Sequence, residues 1–260
     1  MTTPIITLTT DFGTRDPFVG MMKGVILGIC PDARLVDLTH DVAPQDVLEA
    51  ALVLESSARF FPAGTVHLAV VDPGVGSRRR ALAISAAGQR FVGPDNGLFT
   101  AALDEAGWEA VSLENPEYRL AEVSQTFHGR DVFAPAAAHL ACGVALERFG
   151  PPVTDPVRLR FPDCRLENGA WVGEVIGADR FGNLLTSVTA RRLGEAAAGW
   201  IVELGGRILG PLVSCYTEGR EGEPSAVIGS TGRVEIFVRN ASARTLLGAG
   251  RGTPVRLRKP

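Results

Sequence analysis

No apolar run in the chain approaches the ~20 residues that a membrane-spanning helix requires. The opening MTTPIITLTTDFG carries neither the basic start nor the long apolar core of a secretory leader. Cysteine is sparse: Cys30, Cys142, Cys164 and Cys215 form no CxxC pair and lie too far apart for a metal knuckle. They are expected to be buried free thiols in a reducing compartment. Histidine is scarce as well, and no HxH, HExxH or paired-carboxylate signature accompanies it, which argues against a metal site. A basic face is also missing. The net charge is −3, and the only dense basic runs are Arg78-Arg79-Arg80 and the tail from Arg256 to Lys259. A nucleic-acid binder draws most of its affinity from clustered cations. These absences predict a soluble, cytoplasmic protein without nucleic-acid, membrane or metal partners.

What is present is ordinary globular material: 45% hydrophobic and 21% charged residues in a chain long enough for one large domain or two modest ones. The first half alternates strand-like and helix-like segments. Ile5 to Thr9 is an apolar, β-branched run, Val66 to Val71 is a run of buried type, and Arg34 to Leu38 reads as a further strand. Phe18 to Ile29, Gln45 to Phe60, Gly97 to Ala106 and Val132 to Glu147 carry helical periodicity. Ala81 to Ser85 and Gln89 to Val92 read as a hairpin turning at Ala87-Gly88. Strands alternating with crossover helices predict a mainly parallel sheet covered on both faces. The predicted N-terminal α/β domain spans 1–152, and a proline-rich linker covers 153–164. Short β-like segments punctuated by glycine and asparagine then predict a C-terminal antiparallel β-barrel domain over 165–260.

Ligands of an open parallel sheet bind beyond the carboxyl ends of its strands. Two of those ends deliver an aspartate, Asp11 and Asp72. A turn-forming role is the alternative for each; the equivalent placement of both favours a shared cleft. The loop from Asp72 through Gly76 lacks the third glycine of a dinucleotide fingerprint and the Gly-Lys-Ser/Thr of a P-loop. A strand follows it, so no helix N-terminus is available to an anion. Asp95 or Asn96 is expected to cap the helix that follows. His40, His67 and His139 fit structural roles, whereas His128 precedes a glycine at the start of a helix, where a titrating side chain is useful. Asp131 is expected to cap that helix, with Arg130 pairing an acid. Asp179-Arg180-Phe181-Gly182-Asn183 reads as a tight turn offering an aromatic and an amide.

Together these segments resemble one family, the adenosine-forming S-adenosylmethionine hydrolases, related to the S-adenosylmethionine-dependent fluorinase and chlorinase. The matching pieces are Thr9 to Gly13, Val71 to Gly76, Gly93 to Gly97, Phe127 to Asp131, Asp179 to Asn183 and Arg239-Asn240-Ala241. They stand in the family's order across nearly the whole chain. The resemblance implies an α/β domain followed by a β-barrel. It also implies a homotrimer, with active sites formed between the N-terminal domain of one subunit and the C-terminal domain of the next. S-adenosylmethionine is the implied substrate and adenosine a product, without a resident cofactor. Asp11 is then expected to hold the ribose hydroxyls, and Asp16 and Asp179 the methionine ammonium, with Ser230 near its carboxylate. Phe181 and Tyr216 would flank adenine, while Asn183, Arg239, Asn240 and Ala241 read its edge. The family's Asp-Arg-His set falls on Asp72, Arg79 and His128, with Arg78 and Arg80 flanking the arginine.

Departures separate the branches. The halogenases carry a tyrosine at the position of Asp72, a threonine at Val75 and a halide-holding serine at Gly129. They also carry an inserted loop near the segment from Ser85 to Gly93, which is short here. A carboxylate at Asp72 repels a halide and suits a water. In the expected mechanism Asp72 and His128 orient that water and accept its proton while Arg79 fixes the carboxylate. The rivals are a halogenase, a sensor that binds S-adenosylmethionine or adenosine without consuming it, and a metal-dependent hydrolase.

Overall fold

The computed structural model describes residues 3–194 and 199–259. The chain divides into two compact units, Met1–Leu159 and Arg160–Pro260. In the first unit the elements run β1 (Ile5–Thr10), α1 (Phe18–Ile29), β2 (Arg34–Thr39), α2 (Val47–Ser57), β3 (Val66–Val70), β4 (Ala81–Ala86), β5 (Gln89–Pro94), α3 (Thr100–Leu103), β6 (Glu109–Ser112) and α4 (Ala134–Ala141). Their sheet has the order β2-β1-β3-β5-β4-β6. The pairs β2–β1, β1–β3 and β3–β5 are parallel, and β4 runs antiparallel to both of its neighbours.

The central strands are buried on both faces, which is why β1 and β3 read as continuous apolar or β-branched runs rather than alternating ones. Ile6, Leu8 and Leu68 belong to one core cluster with Met22 and Ile26 of α1 and Ala136, Ala137 and Leu140 of α4. On α1, the buried residues Val19, Met22 and Ile26 recur at helical spacing and form a single stripe. At the β4–β5 hairpin, Ala87 (φ 49°) and Gly88 (φ 75°) both lie in the left-handed region, as a two-residue turn matched to strand twist demands. The parallel register pairs Thr10 with Val70, so the chain segments leaving β1 and β3 emerge side by side.

Several sequence expectations need correction here. The helix predicted over Gly97 to Ala106 shrinks to Thr100–Leu103, because Gly97 sits at φ 94° and cannot start it. The helix predicted over Val132 to Glu147 is α4 alone, entered through a π-helical turn at Gly129–Phe133 and ended at Gly143, φ 90°. Strand β6 went unread. Within the predicted linker, 153–164, the stretch from Val153 to Leu159 is hydrogen-bonded to the first unit. Val153 N donates to Ala110 O at 2.8 Å, Val157 N to Asp95 Oδ1 at 2.8 Å and Leu159 N to Thr100 Oγ1 at 2.7 Å. All four cysteines are free, but only Cys30 and Cys164 are buried; Cys142 and Cys215 are exposed.

The second unit contains β7 (Arg165–Glu167), β8 (Ala170–Ala178), β9 (Leu184–Thr189), β10 (Ile201–Leu204), β11 (Arg207–Val213), β12 (Pro224–Ile228), β13 (Arg233–Val238) and β14 (Pro254–Arg258). Their order is β14-β10-β11-β12-β13-β9-β8-β7, and a further β14–β8 pairing closes the first seven into a barrel. Closure leaves the ring without free edges. Val175, Leu184, Val202, Val234, Ile236, Val255 and Leu257 fill its core. One pair departs from the antiparallel expectation: β11 and β12 run parallel. No helix among the described residues is long and apolar enough to cross a membrane.

Candidate active site

Asp72 follows β3 on the loop Asp72–Gly76, and Arg79 returns from that loop toward β4. Arg79 Nε donates to Asp72 Oδ1 at 2.9 Å and to Oδ2 at 3.0 Å, and its Nη2 donates to Oδ2 as well. The same Nη2 lies 2.9 Å from His128 Nδ1. Both members of the ion pair are largely buried, with 11% of the Arg79 side chain and 6% of the Asp72 side chain accessible. The guanidinium also lies 5.1 Å from the centre of the Phe133 ring. Asp72, Arg79 and His128, distant in sequence, thus form one continuous hydrogen-bonded set. Of the three consecutive arginines, Arg79 takes this place. Arg80 instead binds Asp95 at 2.7 Å and Asp155 at 2.6 Å, and Arg78 is exposed.

The tautomer follows from donor chemistry. A guanidinium has no acceptor, so His128 Nδ1 accepts from Arg79 and the ring proton of the neutral imidazole sits on Nε2. Burial lowers the His128 pKa from its ordinary value, and the nearby Arg79 charge lowers it further. His128 therefore offers an N–H at neutral pH. It has no free nitrogen to act as a base while the Arg79 contact holds.

The backbone around this set is fixed. Gly76 has φ 76°, and a Cβ there would lie 2.5 Å from the Gln125 carbonyl oxygen. Asn96 Nδ2 donates to Val71 O at 2.9 Å, holding the start of the Asp72 loop, and Asn96 Oδ1 accepts from Leu98 N at 3.2 Å. Neither Asp95 nor Asn96 caps α3, contrary to expectation: the Asp95 carboxylate is spent on Arg80 and Val157, and Asn96 Oδ1 accepts from Leu98 N ahead of the helix. Asp131 is fully buried and likewise caps nothing. It accepts from Ser124 N at 2.8 Å and Arg130 Nε at 2.6 Å, clasping the loop that delivers His128. At the β1 exit, Asp11 Oδ2 accepts from Gln45 N at 2.8 Å, and Asp16 is exposed on the loop before α1. Among the described residues, no group of three or more His, Cys, Asp or Glu side chains is placed to hold a metal ion.

The second unit gathers most of the remaining predicted residues. Asp179, Phe181, Asn183, Tyr216, Ser230, Arg239 and Asn240 line one cavity of about 580 Å³. Asp179 organises its own turn. Oδ1 accepts from the backbone N–H groups of Phe181 (2.9 Å) and Asn183 (2.8 Å), while Oδ2 accepts from Asn183 Nδ2 at 2.9 Å. Gly182, at φ 83°, has no room for a side chain, since a Cβ would meet Ser242 Oγ at 2.1 Å. The aromatic pair stays open, Phe181 at 78% and Tyr216 at 45% exposure. Ala241 is not among the residues that line the cavity; its N–H donates to Val238 O at 3.1 Å. Sequence reasoning missed Thr217, Glu235, Phe237 and Val238, which also line it. Glu235 had a visible signal: it is a charged residue inside the apolar run Val234 to Val238.

The comparisons with known proteins bear on the whole chain. Residues 6–150 match the model of the SAM hydroxide adenosyltransferase N-terminal domain, and 173–256 match that of its C-terminal domain. The chain belongs to the SAM hydroxide adenosyltransferase family. It is 45% identical over 257 residues to an (R)-S-adenosyl-L-methionine hydrolase of Thermus thermophilus, spanning 95% of this chain and 97% of that one. A fluorinase of Actinoplanes sp. is more distant, at 32% identity over 92% of both chains. Among solved structures, an uncharacterized conserved protein from Thermotoga maritima superposes with a TM-score of 0.90. It is 34% identical, and the match covers 98% of this chain and 100% of that one. A Cβ at Gly129 would lie 3.1 Å from the Phe127 ring and 3.2 Å from Met22 Sδ. A serine at that position fits only if one of them moves.

Proposed function

We propose that the chain hydrolyses S-adenosyl-L-methionine, with water displacing methionine at the ribose C5′ to give adenosine. The observation that carries this reading is the Asp72–Arg79–His128 set, a buried carboxylate, cation and N–H donor locked in one geometry. The leaving group departs as a neutral thioether and needs no general acid; the difficulty lies in the nucleophile. Asp72 accepts a proton from the attacking water, and His128 Nε2–H donates to its oxygen and sets its direction. Arg79 is the positioning residue that holds both. Proton acceptance contributes typically ~10²–10⁴-fold, and in-line placement of the water at least as much through lost orientational freedom. The Arg79 contact at His128 Nδ1 supports giving the base role to Asp72 alone rather than sharing it with His128.

Asp11 holds the ribose hydroxyls, Asp16 and Asp179 face the ammonium, and Ser230 faces the carboxylate of the methionine part. Phe181 and Tyr216 flank adenine, and Asn183 with Arg239, Asn240 and Ala241 reads its edge. A halide meets an obstacle here in the Asp72 charge. The protein works in the cytoplasm as a homotrimer whose sites are completed across subunit boundaries, without a resident cofactor. Chromatography of S-adenosylmethionine incubated in isotopically labelled water tests the reaction, with label expected in adenosine. Appearance of a 5′-chlorinated nucleoside when chloride is added would instead identify a halogenase, and an intact ligand would identify a sensor. Turnover is expected to survive a chelator, and sedimentation to give a trimeric mass.

A further inference from the structure

Glu235 is 5% exposed on β13, between Val234 and Ile236 of the barrel core, and lines the cavity of the second unit. Burying a carboxylate is costly unless hydrogen bonds hold it. Here the Tyr216 hydroxyl donates to Glu235 Oε2 at 2.6 Å. Space is cut for the other oxygen as well: a Cβ built on Gly229 would lie 1.7 Å from Glu235 Oε1 and 2.1 Å from its Cδ. Gly229 has no positive φ to explain it, so the carboxylate is what excludes a side chain there. Phe237, two residues along and on the same face of β13, meets the Tyr216 ring edge-on at 4.9 Å. Tyr216 is thus held by its hydroxyl and along its ring, yet 45% of it remains exposed.

The geometry points to Glu235 as a positioning residue for ligand binding, fixing Tyr216 through its hydroxyl so that an aromatic face is held ready for a purine ring. This rests on the reading that the cavity takes the adenine end of the substrate. An aromatic side chain that is already immobilised loses less freedom when a ligand stacks on it. Its effect therefore falls on affinity and leaves the Asp72 chemistry alone.

The hydroxyl pKa of Tyr216 is pushed up to about 12, by the Glu235 hydrogen bond first and burial second. The chain has only two tyrosines, so an ultraviolet titration of tyrosinate reads this group directly. Glu235→Gln is expected to bring one of the two ionisations down toward the ordinary tyrosine range. Tyr216→Phe, which removes one oxygen from an exposed ring, is expected to raise KM about three- to tenfold, the size of one hydrogen bond, with kcat changed less than about twofold. Glu235→Leu is expected to raise KM similarly, and adding Tyr216→Phe to it to cost little more. An unmoved titration in Glu235→Gln, an unchanged KM in Tyr216→Phe or fully additive losses would overturn the proposal; if Glu235→Leu does not fold, the first two measurements still decide. Calorimetry with adenosine separates the two readings. A wild-type protein that binds adenosine but leaves S-adenosylmethionine intact sinks the proposed reaction, and the adenosine affinities of the variants still test the Glu235 role. Normal turnover with an unaltered Tyr216→Phe variant sinks only the Glu235 role.

Discussion

The two units prepare their polar groups in opposite ways. In the first, Asp72 and Arg79 are enclosed and bonded to each other and to His128, and the loops that carry them are clasped by Asn96 and Asp131. In the second, Asp179 and Glu235 are also satisfied internally, but the aromatic rings they organise remain largely exposed. An enclosed charge set costs little reorganisation at the moment of reaction, whereas open aromatic faces gain by being covered. The contrast teaches where to look for each kinetic effect. Changes in the Asp72–Arg79–His128 set should act on turnover, and changes in the second unit's cavity on affinity.

The sharpest way to break that contrast is Asp72→Asn. It keeps the shape of the side chain and removes the proton acceptor, so kcat is expected to fall ~10²–10⁴-fold, with KM moving less than about threefold. A rise in KM alone would erase the distinction between the units. Arg79→Lys is next. Lysine keeps the charge but cannot donate in a planar fork to Asp72 while reaching His128; roughly 10²-fold of kcat should go with the lost alignment, and S-adenosylmethionine binding measured by calorimetry should persist.

Gly93→Ala probes the scaffold rather than the site. Its Cβ would lie 2.2 Å from the Ala69 carbonyl oxygen and 2.8 Å from the Phe99 ring, so denaturant unfolding should show a loss of about 1–3 kcal/mol. An unaltered midpoint would mean that β3 and β5 yield more easily than their burial implies. The smallest effect concerns pH. Because the folded-state pKa of His128 lies below 6.5, the neutral ring persists into mildly acidic solution, and the acid limb of kcat should lie below that of an ordinary histidine. Its contribution to stability is present above pH ~6.5 and is lost as the pH falls through the lowered value. Arg79→Gln should raise the His128 pKa in an NMR titration; a fall would contradict the assigned cause.

Most long elements were legible because burial on both faces leaves a plain mark, as in Val66 to Val70, and a single buried stripe leaves another, as in Phe18 to Ile29. What escaped was short or punctuated. Glu109–Ser112 and Arg165–Glu167 are too brief to show a period. Arg207–Val213 contains Gly210-Pro211, which reads as a breaker; the strand survives with a register shift that leaves Leu209 unpaired between Ile208 and Gly210, the latter at φ 106°. The caps expected at Asp95 or Asn96 and at Asp131 failed for a different reason, plainest in the two aspartates. Both carboxylates are claimed by arginines and by backbone N–H groups beyond their own helix starts, and local spacing carries no trace of such partners. Similarly, the loop aspartates and His128 stood out at strand and helix ends, but that Arg79 rather than Arg80 joins them depends on which way the returning chain turns its side chains.

The parallel pairing of β11 with β12 has a topological consequence. Antiparallel strands can be joined by a two-residue turn, but a strand that must run beside its predecessor in the same direction needs a longer return path. Residues 214–223 make that return between Val213 and Pro224, and Tyr216–Glu218 forms a helical turn within it. The detour forced by strand direction thus gives the chain an excursion in which to mount an aromatic side chain. A barrel wound with hairpins throughout would have had no such span at this place.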